Sequence, residues 1–167
     1  MIDVLFLDID GVLNSEDYFY SIPEDQLRDI PLDRRCVACV AHIVEETGAV
    51  IVLTSSWRGG WDKDPEKNRL EGQIIDKIFA EYGISIYDKT PVNSRGRRPA
   101  EIREWMEACN EKIRRYVIID DYDFEWKKNK MHKHWIQTDF TASGLTDEKA
   151  EEAIGLFRKS FIYYLWN

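Results

Sequence analysis

Val4-Leu5-Phe6-Leu7-Asp8-Ile9-Asp10-Gly11-Val12-Leu13-Asn14 opens as an apolar run, delivers two acids one residue apart, and then a glycine. A continuous apolar run this short predicts a strand buried on both faces. Such strands belong to parallel α/β sheets, whose ligands bind beyond the carboxyl ends of the strands. Asp8 and Asp10 fall at that end. Two carboxylates there are costly unless a cation or a shared proton compensates them.

The same pattern recurs along the chain. Residues 3–8 form the first strand. Residues 15–34 are acidic and aromatic, with Pro23 and Pro31, and predict a loop or flap that includes about one turn of helix. Asp33 caps a helix running to about Thr47, where Val37, Val40, Ala41 and Val44 fall on one face and Gly48 is a fitting stop. Residues 49–53 are a second buried strand ending in Thr54-Ser55-Ser56-Trp57-Arg58. After a polar loop, Leu70, Ile74, Ile75, Ile78 and Phe79 mark a helix closing at Tyr82-Gly83. Residues 84–87 alternate as a short third strand. A basic loop, 88–98, leads into a helix opened by Pro99, a favoured first-turn residue. Residues 115–119 are a fourth strand with Asp120 and Asp121 at its end, and 134–138 a fifth. Thr146 caps the last helix, with Asp147 and Glu148 in its first turn. Residues 159–167 are a tail that either extends the apolar stripe of that helix or serves as an apolar anchor at a subunit contact.

Strands alternating with helices predict a doubly wound α/β fold with a mainly parallel five-stranded sheet. Right-handed crossovers then bring all these strand ends to one edge. At 167 residues the chain suits one domain spanning 1–167. A net charge of −8 does not advertise nucleic-acid or acidic-membrane binding by the molecule as a whole. Three cysteines argue against a disulfide framework and fit a reducing cytoplasm. No run reaches the length of a membrane span, and Asp3 interrupts any apolar leader. Cys36, Cys39 and His42 lack a fourth partner for a structural zinc site and read as helix residues. His132 and His134 read as surface residues.

Taken in order, Asp-x-Asp, Thr/Ser, a basic residue before a helix and an acidic pair resemble the four motifs of the haloacid dehalogenase (HAD) superfamily. The resemblance covers nearly the whole chain. It implies a Rossmann-like three-layer fold and, since no stretch between motifs can fold as a separate domain, no large cap. The segments around Asp8, 53–58 and 137–146 look most like small HAD-domain proteins, including those of RNA-repair systems.

That resemblance implies Mg²⁺-dependent phosphomonoester hydrolysis. Asp8 is then nucleophile and metal ligand, forming an aspartyl-phosphate, and Asp10 is the general acid and base. Asp120, Asp121 or both complete the Mg²⁺ site, to which Asp10 adds its backbone carbonyl. Thr54, or alternatively Ser55, holds a phosphate oxygen. The family usually places Lys at the third motif. This chain has Arg95, Arg97 and Arg98, of which Arg98 before Pro99 fits best; arginine binds phosphate oxygens bidentately. Asn14, Trp57 and Arg58 are candidate substrate contacts, and Trp57 or Trp61 a candidate platform for a base.

An open, capless site suits a macromolecular, nucleotide or nucleic-acid-end phosphate. A rim carrying Arg58, Arg95, Arg97, Arg98 and the lysines of 127–134 can neutralise further phosphates. A phosphotransferase or mutase, passing the same phosphoryl group to an alcohol, is the alternative enzyme. A non-catalytic phosphate-binding module is the alternative outside enzymes, although such a module has no need of Asp8.

Overall fold

The computed structural model describes residues 1–26, 31–92 and 97–159. It contains five strands: β1 (Ile2–Leu7), β2 (Val50–Leu53), β3 (Ile86–Lys89), β4 (Ile113–Asp120) and β5 (Trp135–Gln137). The helices are α1 (Glu16–Ser21), α2 (Arg34–Thr47), α3 (Leu70–Glu81), α4 (Arg98–Ala108) and α5 (Asp147–Arg158). The strands form one all-parallel sheet in the order β3-β2-β1-β4-β5. Among the described residues there is no large cap. No described helix is long and apolar enough to cross a membrane.

Alternation along the strands sorts the core into two layers. Leu5, Leu7, Ile51, Leu53, Val117 and Ile119 face one side, against α2, α3 and α5. Val4, Phe6, Val52 and Ile118 face the other, against Ile102 and Trp105 of α4. The β4–β5 crossover carries no α-helix. Trp126 and Met131 from that crossover fill the second layer instead. The result is the Rossmann-like three-layer arrangement.

The ends of α2 show local chemistry setting an element's length. The Asp33 carboxylate accepts from the Arg35 N–H at 2.8 Å, and Gly48 closes the helix at φ +66°. α5 is capped likewise by the Thr146 hydroxyl.

The helical turn expected within 15–34 corresponds to the six-residue α1, capped by the Ser15 hydroxyl. Two expectations are corrected. The third strand begins two residues later than its alternation predicts. Ile84 still belongs to the exit of α3, its N–H bonded to the Phe79 carbonyl at 3.1 Å, so pairing with β2 starts at Ile86. His134 lies in a 3₁₀ turn before β5, stacked on Tyr116 at 4.1 Å, and is half-buried. The tail beyond Lys159 lies outside the described residues.

Candidate active site

The chain runs outward from β1 to β3 and returns as β4 on the other flank of β1. The carboxyl ends of β1 and β4 therefore border the crevice in which such sheets bind ligands. Asp8 follows β1 directly, and its N–H donates to the Ile119 carbonyl at 3.1 Å. Asp120 ends β4 and Asp121 follows it. Carboxylate oxygens of Asp8, Asp120 and Asp121 all lie within 4.8 Å of one another. Asp8 and Asp120 are buried, and Asp121 is half-buried.

Arg98, the first residue of α4, joins two of these acids. Its Nη1 lies 2.9 Å from Asp8 Oδ2 and 2.5 Å from Asp120 Oδ2. The guanidinium sits over the Phe124 ring at 4.8 Å. Three acids against one cation leave the cluster short of positive charge. Burial pushes the Asp120 carboxyl up to about 7; Asp8 adds to the rise, while Arg98 and the Tyr122 N–H oppose it. Asp121 is raised by burial and then by Asp8. Hard oxygen donors with uncompensated negative charge suit a hard divalent cation.

Asp10 stands apart, exposed at the mouth. Asn14 Nδ2 donates to its Oδ1 at 2.9 Å, and Trp57 Nε1 to its Oδ2 at 3.1 Å. The clamp is local. Residues 9–13 make one helical turn, in which the Leu13 N–H reaches the Ile9 carbonyl at 2.7 Å. Asn14 completes it by accepting from the Gly11 N–H at 3.0 Å.

Beside β1, the Thr54 N–H donates to the Leu7 carbonyl at 2.9 Å. The Thr54 hydroxyl is buried and has no hydrogen-bond partner among the described residues. An orphaned buried hydroxyl is costly and calls for a ligand. The Ser55 hydroxyl, by contrast, is occupied in accepting from the Trp57 N–H at 3.3 Å.

The family described as the HAD domain in Swiss Army Knife RNA repair proteins matches residues 4–150. The chain belongs to this HAD family. No curated protein and no solved structure matches it. HAD domains are phosphatase- or phosphoesterase-type domains in general, and generally use Mg²⁺. Among the described residues of this HAD domain, Asp8, Asp120 and Asp121 form a cluster that could hold such an ion.

Other candidates lie elsewhere in the HAD domain. Arg58 is not on the rim. Its guanidinium turns inward, donates to the carbonyls of Thr54 and Ser55, and pairs with Glu101 at 2.8 Å. Asn14 is buried, its side chain accepting from the Gly11 N–H and donating to Asp10 Oδ1 and the Pro31 carbonyl. Trp61 is buried, its Nε1 bonded to Asp76 at 2.9 Å, and offers no platform for a base. Arg97 is exposed, and Arg95 lies outside the described residues. The Asp10 carboxylate is not part of the three-acid cluster. Burial pushes the Cys36 thiol up to about 11 and the Cys39 thiol to about 12. His42 pairs with Glu151 at 2.7 Å, so these three side chains are packed or paired rather than gathered on a metal.

Sequence reasoning missed three partners: Glu101 for Arg58, Phe124 beneath Arg98, and the joint hold of Asn14 and Trp57 on Asp10. The Asp10–Asn14 spacing of four was a usable signal, because it spans one helical turn. The Arg58–Glu101 pair, 43 residues apart, had none.

Proposed function

We propose that this HAD domain is a Mg²⁺-dependent phosphomonoester hydrolase acting through an aspartyl-phosphate on Asp8, with phosphorylated nucleic-acid ends as substrates. The observation that carries this reading is the buried Asp8 carboxylate, held by Arg98 at the edge of the three-acid cluster. The nucleic-acid part is supported by the family's description.

Asp8 attacks phosphorus, and the bond from phosphorus to the ester oxygen breaks. Protonated Asp10 gives its proton to the departing oxygen. Ionised Asp10 then takes a proton from water as the water oxygen attacks the aspartyl-phosphate. The bond from Asp8 to phosphorus breaks and inorganic phosphate leaves. Asn14 and Trp57 keep the Asp10 carboxylate aimed through both transfers. The Thr54 hydroxyl and Arg98 hold phosphate oxygens. Each like-charge pair at about 4 Å opposes the first step by roughly 4 kcal/mol at an effective dielectric near 20. Mg²⁺, held by Asp8, Asp120 and Asp121 with the Asp10 carbonyl, would supply charge that offsets this repulsion.

The test is phosphate release from an aryl phosphate, nucleotides, sugar phosphates and oligonucleotides phosphorylated at either end, with Mg²⁺ or with chelator. Release that stops on chelation, resumes with Mg²⁺ and is fastest on oligonucleotides is the expected result. A folded, Mg²⁺-binding protein that releases phosphate from none of them would overturn the hydrolase reading.

Gly11→Ala tests the acid cluster by a different route. Gly11 has φ +77°, and an added Cβ would lie 2.4 Å from Asp121 Cγ and Oδ2. Alanine therefore adds left-handed strain of about 1–2 kcal/mol and pushes the Asp121 carboxylate aside. Mg²⁺ at 100 times its dissociation constant stabilises the wild type by about 2.7 kcal/mol. The variant is expected to lose most of that increment in thermal melts taken with and without Mg²⁺. A full increment with unchanged Mg²⁺ affinity would mean that Asp121 is not a ligand.

A further inference from the structure

Two cavities border the loop after β4. One cavity, of about 770 Å³, runs past Asp121, Asp139 and Lys149. The other, of about 500 Å³, lies between the first turn of α4 and the loop after β4. Either volume is within the range of small-ligand sites. Their charges differ. The larger cavity sets two acids against one cation and repels a polyanion. The smaller carries Arg97, Arg103 and Lys128 against Asp123 and Glu125; Lys128 pairs with Glu125 at 3.0 Å and Arg103 bonds Asn129, so Arg97 supplies its surplus positive charge. Arg97 is exposed and makes no ion pair among the described residues.

The smaller groove also has an aromatic wall joined to the nucleophile. Tyr122 is 63% exposed, and its ring meets Phe124 edge-on at 4.8 Å. Phe124 carries Arg98 on its face at 4.8 Å, and Arg98 bonds Asp8 at 2.9 Å. An exposed aromatic ring flanked by cations is the recurring apparatus for single-stranded nucleic acid, since every base presents a π-face and every nucleotide a charge.

We infer that the groove formed by Arg97, Arg103, Lys128, Tyr122 and Phe124 binds the nucleotide next to the terminal phosphate of a single-stranded nucleic acid, its base stacked on Tyr122. The identity of that phosphate as the reacting group rests on the hydrolase reading; the groove itself does not. Trp57, one of the two platforms the sequence suggested, places its indole N–H on Asp10.

The test is fluorescence anisotropy of a short labelled RNA with a terminal phosphate, and its DNA counterpart, on the full chain carrying Asp8→Asn to block turnover. Adding Tyr122→Ala is expected to weaken binding roughly tenfold, whereas Tyr122→Phe stays within about twofold. Arg97→Glu is expected to weaken binding and to flatten the dependence of log K on log salt by about 0.7 or more. Inorganic phosphate and a phosphopeptide serve as competitors, and only weak competition is expected from either. Unchanged affinity and salt slope in both Tyr122→Ala and Arg97→Glu would overturn the inference. So would failure to bind either oligonucleotide, or binding of the phosphopeptide alone. Wild-type turnover of an aryl phosphate, measured alongside, judges the hydrolase reading separately. Turnover with silent groove variants removes the groove alone, and groove-dependent binding without turnover removes the hydrolase reading alone.

Discussion

Asp8→Asn is expected to lower kcat for phosphate release by at least about 10³-fold, in keeping with removal of a covalent nucleophile. Asparagine has nearly the shape of aspartate, but its amide does not form an acyl-phosphate under these conditions. The loss should not come from misfolding. Asp8, Asp120 and Asp121 face a single cation in Arg98, and Asp8 is one of the groups that raise the Asp120 and Asp121 carboxyls. Taking away the Asp8 charge relieves that crowding, while Arg98 keeps Asp120 as a partner at 2.5 Å. The metal-free variant should therefore melt no lower than the metal-free wild type. A single-turnover experiment with labelled substrate sharpens the outcome: wild type quenched in acid carries label on Asp8, and the variant carries none. Activity within about tenfold of wild type would remove Asp8 from the nucleophile's role.

The parts of this site that the sequence discloses are those in which backbone pattern and chemistry coincide. The apolar run into Asp8, the Val-Ile-Val-Leu run into Thr54 and the strand into Asp120 each announce a buried parallel strand. A parallel sheet must deliver their ends to one edge. Cap residues such as Asp33, Gly48 and Thr146 are equally legible, because their effect is confined to one turn. What is not legible is the direction of a long side chain. Arg58 and Arg98 are both arginines beside a motif, yet Arg98 reaches the acids while Arg58 turns beneath its own loop. The difference depends on where α4 packs, and that is a tertiary fact. The shift of β3 has a similar origin. The alternation of 84–87 is real, but the closing turn of α3 at Gly83, with φ +69°, retains Ile84. The burial of Asn14 is equally hidden from the sequence: its side chain accepts from the Gly11 N–H and donates to Asp10 and to the Pro31 carbonyl, 17 residues away.

Glu101→Ala is expected to be the most destabilising single change near the site, costing about 3–5 kcal/mol through the uncompensated charge it leaves behind. The Arg58 and Glu101 side chains are only 7% and 3% exposed, and their contact is 2.8 Å. Burial already pulls Arg58 below its ordinary pKa, against the opposing pull of Glu101. At roughly 2–4 °C per kcal/mol for a chain of this size, the melting temperature should fall by about 6–20 °C. The pair also has a functional consequence, because the same guanidinium donates to the carbonyls of Thr54 and Ser55. Releasing it loosens the turn that presents the orphaned Thr54 hydroxyl, so KM for a phosphate ester should rise at temperatures where the variant is still folded. Replacing both partners separates the two effects. Arg58→Met with Glu101→Leu removes both buried charges and should recover much of the stability. It cannot restore the donors to Thr54 and Ser55, so KM should remain raised. A Glu101→Ala penalty below about 1 kcal/mol would place the pair among solvated ion pairs. Full recovery of both stability and KM in the double variant would show that Arg58 serves packing alone and that the Thr54 turn holds its shape without it.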